Sequence, residues 1–181
     1  MARHRRRARR ANNCNVVKKS DLNIMLSNIR GFNSKELSLK HIIKKNVHVL
    51  LLNETHLKKN KRLKLEGFKS YSRNRTVKDG GGIATSIKKN YASQVLKVSE
   101  GLGDNEYIIT RHGQFSPAIN VINYYGSQEK RTSKDVLNEN WGHILKEIKN
   151  IEKKGEHLIL FGDMNRHVGK LVEGNDNDNI S

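Results

Sequence analysis

Three apolar runs in this chain stop abruptly at acids and amides. Leu22–Ser27 (LNIMLS) runs into Asn28, Val47–Leu52 (VHVLLL) into Asn53-Glu54, and His157–Phe161 into Gly162-Asp163-Met164-Asn165. Buried strands hold such side chains at a rim better than loops do, and in layered α/β folds the strand ends line the ligand crevice. Carboxylates and amides delivered to one rim form an oxygen-donor set suited to a hard divalent cation. Magnesium takes one or two carboxylates and fills its remaining positions with water and substrate phosphate oxygens. The chemistry such a set supports is therefore chemistry at a phosphate. No Cys or His cluster has the spacing of a zinc site. Taken singly, each residue has an ordinary reading: Asn28 as a turn or cap, Glu54 as a solvated strand end, Gly162–Asn165 as a turn. Their joint occurrence behind three apolar runs singles them out.

The elements that must position these residues follow from periodicity. Leu22–Ser27 and Val47–Leu52 read as buried strands, and between them Asn33 or Ser34 is a candidate cap for a helix over Ser34–Lys45. Leu37, Leu39, Ile42 and Ile43 form its apolar stripe. Strand, helix and strand within about thirty residues is an α/β opening. The lysine-rich Lys58–Lys64 reads as a solvated loop or short helix. Phe68–Ser72 and Gly82–Ile87 read as strands separated by the turn-rich Asp79-Gly80-Gly81-Gly82. Ala92–Val98 and Glu106–Arg111 alternate as half-buried strands, and their short links favour antiparallel hairpins. Ile119–Tyr125 (INVINYY) is a strong strand ending in two aromatics. Ser133–Lys153 reads as a long amphipathic helix, with Val136, Trp141, Ile144, Leu145, Ile148 and Ile151 facing inward and Gly155 ending it. His157–Phe161 is the last strand, which makes His157 structural. The class is an α/β sandwich of mixed or antiparallel sheets, bounded by a basic flexible arm over 1–20 and a polar disordered tail over 172–181.

Charge narrows the partner. Thirty-five Lys and Arg against eighteen Asp and Glu leave +17 on 181 residues. Only six of the basic residues are the arginines of the head (Arg3, Arg5, Arg6, Arg7, Arg9 and Arg10), so the body is basic too. A polyphosphate partner fits such a surface, because each neutralised phosphate releases counterions; lysine richness from biased codon use is the competing explanation. The arginine head is either a nuclear-localisation or nucleic-acid-binding arm, with RNA as a further partner for it, or an accident of fusion. The lone Cys14 excludes an internal disulfide framework. No apolar run approaches about 18 residues, so no membrane span is expected, and the head lacks the apolar stretch of a secretory signal. The expected location is nuclear or cytoplasmic.

Ser27-Asn28 with Gly31, Leu52-Asn53-Glu54-Thr55-His56, Asn123-Tyr124-Tyr125 and Gly162-Asp163-Met164-Asn165, in that order, resemble the successive motifs of the endonuclease/exonuclease/phosphatase superfamily, which includes apurinic/apyrimidinic endonucleases and DNase I. The pattern is most similar to the endonuclease domains of LINE-type (non-LTR) retrotransposons, above all over Ile122–Gly169, and the resemblance covers Leu22 to Lys170. It implies a four-layer α/β sandwich, two mainly antiparallel sheets with helices outside, over residues 21–171. It implies hydrolysis of a DNA phosphodiester with Mg2+, or alternatively Mn2+, and a reverse transcriptase in the full-length relative. By position, Glu54 is implied as the metal ligand, with Asn28 helping to hold the metal and its waters. Tyr125 is implied to stabilise charge at the scissile phosphate, Asp163 to orient or deprotonate water, and Asn165 to position the phosphate and Asp163. Without the family, Tyr125 reads as a core aromatic. Arg30, Lys58, Lys59, Arg73 and Arg166 are the candidate nucleic-acid contacts. His56 and His167 lie near these acids, but the family pattern gives neither a chemical role.

The superfamily places a further Asp and a Ser-Asp-His motif after the Gly-Asp-x-Asn strand. This sequence reaches Ser181 without them, and Asp176 and Asp178 are the only late acids in the polar tail. The resemblance therefore implies a C-terminally truncated domain, with a sheet edge uncovered, impaired nicking and retained binding. The alternative function is a basic nucleic-acid-binding remnant that does not cut. Relatives that dephosphorylate inositol lipids or sphingolipids offer a third substrate class, against which the charge argues.

Overall fold

The computed structural model describes residues 21–43, 46–58, 61–74, 80–99, 106–126 and 134–165, the last from 134 to 140 as backbone only. The arginine head, the acidic tail, Lys59, Arg166, His167 and Val136's side chain lie outside them. Ten elements run in the order β1 (Ile24–Asn28), α1 (Phe32–Ile42), β2 (Val49–Asn53), β3 (Phe68–Arg73), β4 (Ile83–Lys88), β5 (Ser93–Val98), β6 (Glu106–His112), β7 (Ile119–Tyr125), α2 (Lys134–Lys153) and β8 (His157–Asp163). They form two four-stranded sheets, β1-β2-β4-β3 and β5-β6-β7-β8. Each sheet has one parallel pair joined by a crossover helix, β1–β2 through α1 and β7–β8 through α2; the other pairs are antiparallel.

Alternation along the strands makes four layers. From β2, Leu50 and Leu52 pack outward with Phe32 and Leu39 of α1. Its Val49 and Leu51 point the other way and meet Val121 of β7 between the sheets. From β7, Ile122 and Tyr124 pack outward against Ile144 and Ile151 of α2, together with Trp141 and Ile148. Each fully buried Leu or Ile of these clusters contributes about 1.5–3 kcal/mol of apolar transfer. The architecture is helix, sheet, sheet, helix, the sandwich expected.

Several local expectations give way. Neither Asn33 nor Ser34 caps α1, which starts at Phe32 with Gly31 before it and no side-chain cap. Its first N–H groups are satisfied from the loop after β2 instead: Gly31 N donates to Glu54 O and Phe32 N to Thr55 O, both at 2.8 Å. Leu37 is 83% exposed and Leu145 50%, so both drop out of the helical stripes. β6 is buried nearly throughout because α2 covers its outer face and the first sheet its inner one. Lys61–Leu65 is loop, one of the two readings of the lysine-rich stretch, but it is not solvated throughout, because Leu63 is buried. His157, at the exposed first position of β8, is not a core residue. The strands also reach further than the apolar runs: pairing of Asn28 with Asn53 and of Tyr125 with Asp163 carries the polar residues onto the last rungs of the two parallel ladders.

Candidate active site

Both parallel pairs bring their C-terminal ends to the same rim. Two buried asparagines lock that end of the sandwich. Asn53 Nδ2 donates across the sheets to Tyr124 O at 3.1 Å, and Asn123 Nδ2 returns to Ala84 O at 3.0 Å. These inward-facing amides, in strands otherwise filled with Val, Leu and Ile, stand in the motifs quoted from the sequence, which assign them no role in joining the sheets. Their signal is an Asn at an inward-facing position of an alternating strand.

On this frame Asn28 joins the two halves of the molecule. Its Nδ2 donates to Glu54 Oε1 at 2.8 Å and lies 3.4 Å from Asp163 Oδ2, so one amide touches the carboxylates of both sheets. Tyr125 projects between the sheets and donates its hydroxyl to Glu54 Oε1 at 3.1 Å. Asn165 completes the set: its backbone N–H donates to Asp163 Oδ1 at 2.9 Å, and its side chain to Gly126 O at 2.7 Å. Asn28, Glu54, Tyr125, Asp163 and Asn165 therefore lie together, although they come from four different strand ends. His56 Nε2 stands 3.8 Å from Glu54 Oε2, in the same loop.

The backbone here is held in unfavourable conformations. Among the described residues the non-glycine residues with left-handed φ are Arg30, Glu54, His56 and Asn165, and all belong to this rim. Each costs on the order of 1–3 kcal/mol and persists only where surrounding contacts over-determine it. Those contacts are present: Thr55 N bonds Gly82 O and His56 N bonds Gly81 O, each at 2.9 Å. A Cβ at Gly82 (φ +82) would lie 2.7 Å from Thr55 Oγ1. At Gly162 a Cβ would collide with Tyr124 O, so only glycine lets β8 close on β7 beside Asp163.

The remaining candidates are placed differently. Arg30 and Lys58 are exposed beside the rim. Arg73 is turned inward, 12% exposed, with Nη1 3.9 Å from Oε1 of the fully buried Glu106. Glu106 pairs in register with Tyr125, so this charge pair sits at the base of the rim. His157 is at the far end of β8 from Asp163.

Among the described residues no group of three or more His, Cys, Asp and Glu gathers as a metal cluster. The rim instead supplies two carboxylates and amides, all oxygen donors, which fits Mg2+ or Mn2+ and not a thiolate- or imidazole-preferring metal. Among the described residues its negative charge meets neutral hydrogen-bond donors and the ring of His56, a setting in which a cation from solution can balance it.

Comparison with known proteins bears on the family and the fold. The model of the Endonuclease/Exonuclease/phosphatase family matches residues 25–172. The fold is similar to that of the 3' phosphatase NExo from Neisseria bound to a product DNA hairpin (20% identity, TM-score 0.59, 83% of this chain and 60% of that one). It is also similar to the catalytic domain of Xenopus laevis APE2 (17% identity, TM-score 0.57, 79% and 58%). The human Nocturnin catalytic domain with a bound sulfate anion is a third (15% identity, TM-score 0.57, 81% and 64%). At these identities the likeness is one of fold, and this chain spans about three fifths of the length of those structures. No curated protein matches the chain.

Proposed function

This chain belongs to the endonuclease/exonuclease/phosphatase family, and on that premise we propose that it is a divalent-metal-dependent phosphodiesterase acting on DNA, of the LINE-retrotransposon endonuclease type, with a reverse transcriptase as the associated activity. The observation that carries the reading is the single amide of Asn28 bonded to Glu54 and lying beside Asp163, which brings two carboxylates to one point from two separate sheets. Fold relatives that hold a DNA hairpin or a sulfate anion support a phosphoester substrate, and the +17 net charge supports a polyanionic one.

Glu54, with Asn28, would hold Mg2+ or Mn2+, whose contribution is to polarise the phosphoryl oxygen and shield its charge. Asp163 accepts a proton from the attacking water. The N–H of Asn165, bonded to Oδ1, fixes the orientation of that carboxylate, which is the positioning general-base chemistry needs. Tyr125 turns its hydroxyl to whichever oxygen carries more charge: Glu54 Oε1 at rest, the phosphate when substrate is bound. The amide of Asn165, anchored on Gly126 O, ties the loops after β7 and β8 into one floor for the phosphate.

A second reading, DNA binding without cleavage, is favoured by the charge alone. Incubation of supercoiled plasmid with the chain and Mg2+, beside Glu54→Ala and Asp163→Ala, separates the two. Magnesium-dependent nicking lost in both variants supports the phosphodiesterase. Retardation of DNA without nicking, weakened by salt and indifferent to both substitutions, supports the binding protein.

A further inference from the structure

In the lysine-rich stretch after Glu54, residues 61–65 pack onto the outer core through their leucines. Leu57, Leu63 and Leu65 are 6%, 4% and 4% exposed and belong to the outer core with Phe32 and Leu52. Burial of the leucines turns Lys61, Arg62 and Lys64 to solvent. Asn74 Nδ2 donates to the carbonyls of Lys58 at 2.9 Å and Lys61 at 2.7 Å, and Lys61 N donates to Lys58 O at 2.9 Å, closing a turn. Among the described residues none of the three cations has an ion-pair partner. Three like charges are thus held side by side on a fixed backbone, an arrangement that repels itself unless an anion is present.

Between this ridge and the start of α1 lies an open groove of about 390 Å³, lined by Phe32, Asn33, Leu57, Lys61, Arg62 and Lys64. It adjoins the rim, because the chain enters α1 through the bonds of Gly31 N to Glu54 O and Phe32 N to Thr55 O. The first turn of α1 carries no acid that would oppose an anion there. One phosphate would occupy one or two of these cations; a row of three along an open groove matches successive phosphates of a polymer.

We propose that this groove is a backbone subsite that holds DNA phosphates flanking the phosphodiester at the Glu54–Asp163 rim. Its place beside the reacting phosphate rests on the phosphodiesterase reading; its binding of DNA does not. The subsite would make the substrate a polynucleotide and not a small phosphoester, since the latter would leave all three cations unused.

The test compares the full chain with two equally charged variants: Lys61→Gln/Arg62→Gln/Lys64→Gln in the groove, and Lys146→Gln/Lys149→Gln/Lys153→Gln on the exposed side of α2. Binding of a short fluorescent DNA duplex is measured by anisotropy in EDTA across a salt series. The groove variant is expected to bind about tenfold more weakly, with the slope of log K against log salt reduced by about two to three. The α2 variant is expected to stay within about twofold. The single substitution Arg62→Gln, the safest for folding, is expected to lower the slope by about one. Equal losses in the two triple variants, or wild-type affinity in the groove variant, would overturn the proposal. In parallel, Mg2+-dependent hydrolysis of bis(p-nitrophenyl) phosphate is expected to survive in the groove variant and disappear in Glu54→Gln. If the wild-type chain does not hydrolyse this ester, the phosphodiesterase reading fails, while the anisotropy comparison still decides the groove.

Discussion

Glu156 and Asp163 flank the two ends of β8, and their surroundings differ in kind. Glu156 accepts from Arg111 Nε at 2.8 Å and Nη2 at 2.6 Å, and from Asn120 Nδ2 at 2.9 Å. The guanidinium first, and then the amide, hold its carboxyl well below the usual range, at about 2. At the other end Asp163 and Glu54 receive an amide, a phenol and a backbone N–H, and no Lys or Arg among the described residues pairs with them. The left-handed residues cluster at this second end, where the strand ladders stop. One end of the sheet balances its charge within the protein and serves stability. The other has, among the described residues, no Lys or Arg paired with its carboxylates and a strained backbone, which is where pre-organised chemistry is found.

The largest effect that would sharpen this contrast is expected from Glu54→Gln and Asp163→Asn. Each should lower Mg2+-dependent DNA hydrolysis by about 10²–10⁴-fold, while thermal melts stay at or above the wild-type Tm because two facing like charges become one. A collapse of stability in both variants would place these acids in the structural class with Glu156.

Next comes Gly162→Ala. The added methyl meets Tyr124 O, and overpacking at a strand pair costs about 1–3 kcal/mol. Urea unfolding should show a lower midpoint, and Asp163, one residue on, should lose its position and activity with it. An unchanged midpoint would mean that β7 and β8 separate freely.

Acid should weaken the far end. His112 is fully buried between the sheets, and burial pushes its imidazole down to about 4. Above pH 6.5 the ring is neutral folded or unfolded and contributes no pH dependence. As pH falls from 6.5 through 4 the unfolded chain takes a proton that the folded one refuses, so stability drops, by about 3 kcal/mol in full. Melts at pH 7 and pH 5 should reveal this slope, and His112→Asn should flatten it.

The smallest effect on chemistry is expected from Glu156→Gln. Its lowered carboxyl contributes stability that is present above the ordinary carboxylate range and is lost as pH falls through about 2. The variant should therefore melt earlier than wild type at pH 7, and the difference should shrink in strong acid. Phosphodiesterase activity measured below both melting temperatures should be unchanged; a large loss would join the two ends that the geometry separates.

Much of this was legible in the sequence where a run of one hydrophobic type ends in a polar residue. Val47–Leu52 and Ile119–Tyr125 announce strands because interior strands bury both faces. Leu22–Ser27 forms a strand too, but not the buried one its apolar run suggests: β1 lies at the sheet edge, none of its residues is buried and Leu26 is exposed. Asn28, Glu54 and Asp163 stand out because they interrupt apolar runs. The sandwich was readable for the same reason. The start of α1 was not, because its cap comes from the backbone of Glu54 and Thr55, more than twenty residues away. Leu37 and Leu145 misled because amphipathic periodicity assigns a face without knowing its width. Asn53 and Asn123 were invisible as buried groups, since their partners belong to the opposite sheet. The lysine stretch hid its packing in the alternation of Leu63 and Leu65 with cations, a pattern that composition averages away.

The central claim is that the Glu54–Asp163 rim, and not the Glu156 cluster, takes up a divalent cation, and calorimetric titration of Mn2+ or Mg2+ into wild type, Glu54→Gln and Glu156→Gln tests it directly. One site is expected in wild type, weakened at least about tenfold in Glu54→Gln and unaltered in Glu156→Gln. Identical binding in wild type and Glu54→Gln would contradict it.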